Sequence, residues 1–245
     1  MRLDNFPGPV EWITIPGGSV RLDAGGYLPE VTTFELPAFV IGKYPVTNQQ
    51  YALFMAAGGY DHPGWWTQDG WAICQRENWT APRRWEHNDV RYGDCPVIGV
   101  SWYEATAFCR WASDATGEAI TLPTEHQWQR AAQGDDGREF PWGNDDPDII
   151  YCNWNRDVGR PTPVTCYPDG ASPFGVMDMS GNAWELCRTG WDTGTESFEG
   201  RERRIVRGGC LINDSPITLR TTRRDGPFPV DAYHLFGFRC TREDS

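Results

Sequence analysis

SWYEATAFCRWASDATGEAITLPTEHQWQRAAQG, residues 101–134, holds two helices whose ends are legible from local chemistry alone. Ser101 followed by Glu104 is a capping box, in which hydroxyl and carboxylate each satisfy a backbone N–H that the first turn leaves without a partner. Ala105, Phe108, Cys109 and Ala112 then fall on one helical face, and Gly117 supplies the left-handed stop. Thr124 and Gln127 form a second box after Pro123, with Trp128, Ala131 and Ala132 facing inward and Gly134 closing the helix.

Upstream, residues 10–15, 19–22 and 32–36 alternate as strands do, separated by the Gly17-Gly18 and Gly25-Gly26 turns. Thr47 can cap a helix running through Gln50, Phe54 and Met55 to Gly58-Gly59. Residues 62–94 are Trp-rich and polar without a clear period, which reads as a long ordered loop anchored by aromatics. Downstream of Gly134 short segments broken by Gly, Pro, Asn and Asp run to the end, with Ile205-Val206 and residues 236–240 the best strand candidates. The pattern predicts one α+β domain over residues 1–245, with two or three helices, short antiparallel strands and much ordered loop.

The chain has 245 residues, 39% hydrophobic, and its 13 Trp, 11 Phe and 9 Tyr give ample surface for a core, which excludes disorder. No apolar stretch approaches the ~20 residues of a membrane span, and no apolar run follows Arg2 as a secretory signal requires. A cytoplasmic protein is the expectation, and its eight cysteines, with no CxxC pair or zinc-type Cys/His cluster, read as buried thiols. The net charge of -12 argues against nucleic acid as a partner. The segment 201–242 nevertheless carries nine Arg against four acidic residues. Two readings of it stand open: arginines paired with acids elsewhere in the fold, or a locally basic recognition face.

Pro45-Val46-Thr47-Asn48 with Tyr51, Pro96–Trp102, Ala107–Trp111, Leu122–Trp128, Phe140–Asn144, Gly175–Glu185 (GVMDMSGNAWE), Val206–Gly209 and Gly237–Cys240 (GFRC) together resemble the sulfatase-modifying-factor family, founded on the formylglycine-generating enzyme. The match in order and spacing extends over roughly residues 10–240 and implies the C-type-lectin-like fold in that family's irregular form. The founding enzyme binds copper through two cysteines five residues apart, shortly after the Gly-Gly; here those positions fall at or near Asn213 and Thr218. An amide and a hydroxyl cannot do thiolate chemistry, so the resemblance implies a protein that is not an enzyme and requires no cofactor. The iron-binding HxxxHxE pattern of the sulfoxide synthases that carry this domain is absent too.

A second branch fits the sequence better: the variable proteins of diversity-generating retroelements, in which the segment between Arg-Gly-Gly and the last Gly-Phe-Arg is rewritten by adenine-directed mutagenesis. Codons of the type so rewritten never yield Trp, Met, Lys, Glu or Gln. All 39 such residues of the chain lie outside Cys210–Cys240. The branch pattern leaves Leu219, Arg220, Arg224 and Pro229 as scaffold, although Ala232 stands where an Arg is usual and the stretch before Leu219 is one residue long. The variable ligand-binding region is then 210–240. Its candidate contact residues are Leu211, Ile212, Asn213, Asp214, Arg223, Asp225, Gly226, Pro227, Phe228, Asp231, Tyr233, His234 and Leu235, the chemistry of a protein-binding face. The expected protein is a monomer that displays this face to an unknown, most simply protein, ligand. The alternatives are a divergent formylglycine-generating-type oxidoreductase and a fixed sensor module of a signalling protein.

The resemblance also implies a helix-to-last-strand cysteine pair, Cys109 and Cys240, close but reduced in a cytosolic setting. Asn153, Asp157, Asn182 and Glu185 match stretches that hold structural calcium in some members, or else are core polar groups that satisfy backbone.

Overall fold

Three helices begin with reciprocal caps. The computed structural model describes residues 11–83, 85–87, 92–233 and 235–243. Within it α1 (Asn48–Ala56), α3 (Trp102–Thr116) and α4 (Glu125–Gln133) each start at a two-way box: Thr47 with Gln50, Ser101 with Glu104, and Thr124 with Gln127. Gly117 and Gly134 stand at the C-caps of α3 and α4. The stretch expected to be loop from 62 to 94 contains a fourth helix, α2 (Gln68–Glu77). Its cap is Thr67, whose hydroxyl accepts from the Gly70 amide at 3.0 Å, and it ends at a left-handed Asn78. Ile73 and Cys74 give it a buried face against the main core, which rewards helix formation despite Gly70 in the first turn.

Ten short strands make three sheets among the described residues. β1 (Trp12–Ile15), β4 (Phe39–Gly42), β10 (Thr241–Glu243) and β5 (Ala119–Thr121) form one antiparallel sheet in the order β1-β4-β10-β5, joining the two ends of the chain. β2 (Gly18–Leu22) and β3 (Thr32–Leu36) pair as a hairpin. The third sheet, β8-β7-β6-β9, is built from β6 (Trp184–Gly190), β7 (Arg204–Arg207), β8 (Arg224–Asp225) and β9 (Phe236–Gly237), with β6 and β9 parallel. The α+β class and the short strands match the sequence reading; the 236–240 strand is confined to β9, and β10 begins at Thr241.

The larger core packs α1, α2 and α3 against β6 and the C-terminal segment, with Tyr51 stacked on Phe108 at a centroid distance of 5.6 Å. A second core centres on Trp128 of α4. Trp102 and Trp128 are fully buried and Trp184 nearly so; the Trp102 indole donates to the Cys187 carbonyl at 3.0 Å and that of Trp128 to Glu185 at 2.8 Å. Such N–H bonds let large aromatics anchor irregular chain without leaving a buried donor unpaired. Cys109 and Cys240 face each other unbridged, with their sulfurs 3.8 Å apart. No helix among the described residues is long and apolar enough to cross a membrane.

Seven of the nine arginines between 201 and 242 pair with carboxylates. Arg207 and Arg224 share Glu125, Arg239 grips Glu185 with two bonds of 2.6 Å, and Arg201, Arg203, Arg220 and Arg242 reach Asp69, Asp192, Glu139 and Glu118. Arg204 is buried over the Trp102 ring at 4.1 Å and donates to two backbone carbonyls. The first reading of the basic segment therefore accounts for most of it, and Arg223 alone of the nine is left exposed without an acidic partner among the described residues.

Candidate functional site

The site grows from the end of β7. Gly208 and Gly209 both take positive φ, 90° and 72°, and turn the chain sharply into Cys210. The Asn213 side chain folds back to accept the Cys210 amide at 2.6 Å, which closes the 210–213 loop on itself. A second loop fastens against it: the Asn155 amide donates to the Asn213 carbonyl at 2.9 Å and the Arg156 amide to the Leu211 carbonyl at 2.7 Å. Asn155 and Arg156 are both left-handed, φ 52° and 61°. Two successive non-glycine residues in that region carry backbone strain that their surroundings must hold, a common mark of a working loop.

Cys210 packs with Trp184 in the main core, and the Arg156 charge is felt at both Cys210 and Tyr233. Burial pushes the Cys210 thiol up to about 11; amides of the loop, the Trp184 indole N–H and the Arg156 charge oppose this without reversing it. At neutral pH Cys210 is thus a thiol, not the thiolate that nucleophilic attack or metal binding needs. Burial also raises the Tyr233 phenol, with Cys210 adding to the shift and Arg156 opposing it. Tyr233 accordingly stays protonated, a hydrogen-bond donor beside an exposed guanidinium. The arrangement suits binding and orientation of a polar or anionic group.

The family's copper does not fit here. Asn213 is occupied by the Cys210 amide, and the Thr218 hydroxyl donates to the Ser215 carbonyl at 2.6 Å. Among the described residues no group of three or more His, Cys, Asp or Glu side chains is placed to hold a metal ion. Of the calcium candidates, Asn182 and Glu185 are engaged by other partners, whereas the buried Asn153 Oδ1 has no hydrogen-bond partner among the described residues. Asn182 accepts from Asn153 and from the Thr162 amide and donates to the Thr162 carbonyl and to Asp178. Glu185 is filled by Trp128 and Arg239, and Asp157 is exposed.

The expected contact residues divide. Asp214, Arg223, Asp225, Phe228, Asp231 and Tyr233 are exposed, Phe228 at 57% and Tyr233 at 39%. Ile212, Asn213, Gly226 and Pro227 are half-buried. Leu211 and Leu235 are a correction: at 3% and 4% exposed they belong to the main core, because the chain on either side of them is drawn inward by bonds from Leu211 to the Asn182 carbonyl and from the Trp184 amide to Leu235. His234 lies outside the described residues. Two of the exposed acids serve the backbone, Asp225 accepting from the Gly226 amide and Asp231 from that of Phe228, both at 2.8 Å. Arg156 escaped the sequence reading, since nothing in Asn155-Arg156-Asp157 announces that backbone bonds will seat it against residue 211.

With this geometry in place, the likeness to known proteins can be read. The family model for the sulfatase-modifying factor enzyme 1-like domain matches residues 5–244. The hercynine oxygenase of Mycolicibacterium smegmatis is 34% identical over 233 residues, covering 84% of this chain and 53% of its own length. The formylglycine-generating enzyme of Thermomonospora curvata is 29% identical, covering 94% of this chain and 93% of its own. Treponema denticola variable protein 1 shares the fold, with a TM-score of 0.70 at 19% identity over 95% of both chains. The chain spans about half the length of the hercynine oxygenase. These relatives overturn the expectation of a protein outside enzyme chemistry: the loss of one cysteine pair removes one reaction, whereas proteins named as a hercynine oxygenase and a formylglycine-generating enzyme match most of the chain. The chain belongs to the sulfatase-modifying factor enzyme 1-like family.

Proposed function

We propose that this chain is the substrate-binding part of an oxygenase that acts on hercynine or a close chemical relative, and that the exposed Arg156 and Tyr233 hold that substrate, with Cys210 and Trp184 buried in the main core. The observation that carries this reading is the 34% identity to a hercynine oxygenase over 84% of the chain, in a protein that lacks the pair of copper-binding cysteines that the resemblance places at or near Asn213 and Thr218. In this reading Arg156 engages the substrate carboxylate and the Tyr233 hydroxyl donates a second hydrogen bond. The HxxxHxE pattern is absent from the sequence, and among the described residues no group of three or more His, Cys, Asp or Glu side chains is placed to hold a metal ion.

The test is a thermal one. A ligand that binds only the native state stabilises it by RT ln(1 + [L]/Kd), about 2.7 kcal/mol at a hundredfold excess over Kd. Hercynine should raise the melting temperature in a concentration-dependent way. An unchanged melting temperature up to millimolar hercynine contradicts the reading.

The absence of Trp, Met, Lys, Glu and Gln from Cys210–Cys240 favours a second reading, in which these loops have been diversified by adenine-directed mutagenesis. Its signature is a near-copy of the 3′ end of the gene beside a reverse transcriptase, differing only at adenines. A genome without such a copy contradicts it.

A further inference from the structure

A cavity of about 300 Å³, sharing no residue with the face just described, opens between the β2–β3 turn and the segment that leads into β8; Asp23, Trp191, Ile217, Arg220, Arg223 and Arg224 are in its wall. Its volume is at the lower end of small-molecule sites. The wall is prearranged. Arg224, itself buried, holds the turn by donating to the Asp23 carbonyl at 2.7 Å and the Gly25 carbonyl at 3.1 Å, while its Nε meets Glu125 at 3.1 Å. The Trp191 ring is wedged against Gly226, where an added Cβ would overlap it, and Arg203 covers its face at 5.5 Å. The Arg223 amide donates to the Arg220 carbonyl at 3.0 Å, a turn that sets both residues in the wall of the same cavity.

The charges do not cancel evenly. Arg224 shares Glu125 with Arg207, and Glu139 pairs with Arg220 at 3.0 Å through two half-exposed side chains. Arg223 is exposed and has no acidic partner among the described residues, and the buried Nε of Arg220 has no acceptor. The exposed Arg223 guanidinium, on a cavity that Arg220 and Arg224 also line, suits an oxyanion, which Arg binds in a bidentate way. The Asp23 carboxylate on the rim adds a requirement, since a bare anion would meet repulsion there unless it also offers a donor.

We propose that this cavity is a second binding site, for a small molecule that carries a phosphate or carboxylate group next to a hydroxyl or amino donor. The oxyanion lies between Arg223 and Arg220, the neighbouring donor faces Asp23, and Trp191 forms a fixed floor. The site is independent of the oxygenase reading and stands or falls without it.

Calorimetric titration of the full chain with inorganic phosphate and, separately, with malate tests it. Saturable binding of at least one probe is expected, and the tighter of the two identifies the oxyanion as phosphate or carboxylate. Arg223→Gln should weaken that binding tenfold or more with an unchanged melting temperature. Arg201→Gln, which removes an exposed arginine paired with Asp69 away from the cavity, should leave it unchanged. Failure of both probes to saturate, or equal weakening by the two variants, overturns the proposal.

Discussion

Arg239 and Arg223 lie sixteen residues apart in the same basic segment, yet they do opposite work. Arg239 is fully buried, with bonds to both oxygens of Glu185 and to the carbonyls of Gly42, Lys43 and Met177. It ties β6 to the segment after β4 and to the loop before the Gly181 turn. Arg223 stands on the rim of a cavity with its charge unspent. The lesson is that a run of arginines in a sequence is not one feature. Those that meet a buried carboxylate become part of the scaffold, and what remains exposed is left for a ligand.

Breaking the scaffold side of this comparison should have the largest effect. Arg239→Ala leaves the Glu185 carboxylate buried with only the Trp128 indole to satisfy it, and removing one partner of a buried pair costs about 3–5 kcal/mol. Domains of ordinary stability have only about 5–15 kcal/mol, so chemical denaturation should show a much lower midpoint or an unfolded protein. A midpoint close to that of the unsubstituted chain would mean that the pair is not formed.

A smaller effect separates the three capping boxes. Those of α1 and α4 use Gln50 and Gln127, whereas that of α3 uses Glu104, which is buried and also accepts from the Tyr60 hydroxyl at 2.5 Å. Burial raises its carboxyl from 4.5 to about 7, outweighing the bonds from Tyr60 and Ser101 that favour the charge. The native state therefore holds this proton more tightly than the unfolded chain does. The resulting stability is fully present below pH 4.5 and is lost as the pH rises to about 7, beyond which the buried charge is a constant cost. Glu104→Gln keeps the box and removes the titration. Unfolding free energies of the two proteins should converge near pH 4.5, with the variant the more stable at pH 8; parallel curves would show that Glu104 does not titrate in this window.

Thr124→Ala, which deletes the hydroxyl half of the α4 box, should cost about 1 kcal/mol by the same measurement. On the other side of the comparison, Phe228→Ala should change stability by less than ~0.5 kcal/mol, as exposed substitutions usually do. A loss comparable to that from Arg239→Ala would place Phe228 in the core.

What the sequence revealed follows the same division. The capping boxes were legible because each is a contact between residues three apart, and the fold followed from motifs such as Gly175–Glu185 and Gly237–Cys240. α2 was not legible, since Gly70 and the surrounding Trp residues blur the period and its stability comes from Ile73 and Cys74 packing on the core. β6 was missed for a related reason: it is buried on both faces, so Trp184–Gly190 shows no alternation. Of the candidate site, Tyr233 and residues 211–214 were singled out from their place between Arg-Gly-Gly and Gly-Phe-Arg. Arg156 was not, because it reaches the site only through backbone bonds between two irregular loops, which leave no mark on side-chain pattern.

Calorimetric titration of hercynine into the unsubstituted chain and into Arg156→Gln separates a substrate-binding Arg156–Tyr233 face from the buried pairs that hold the fold. The unsubstituted chain should bind saturably. The variant, in which only an exposed side chain changes, should bind at least tenfold more weakly, about 1.4 kcal/mol, with the same melting temperature. Equal affinity in the two proteins, or no binding by either, would contradict the account.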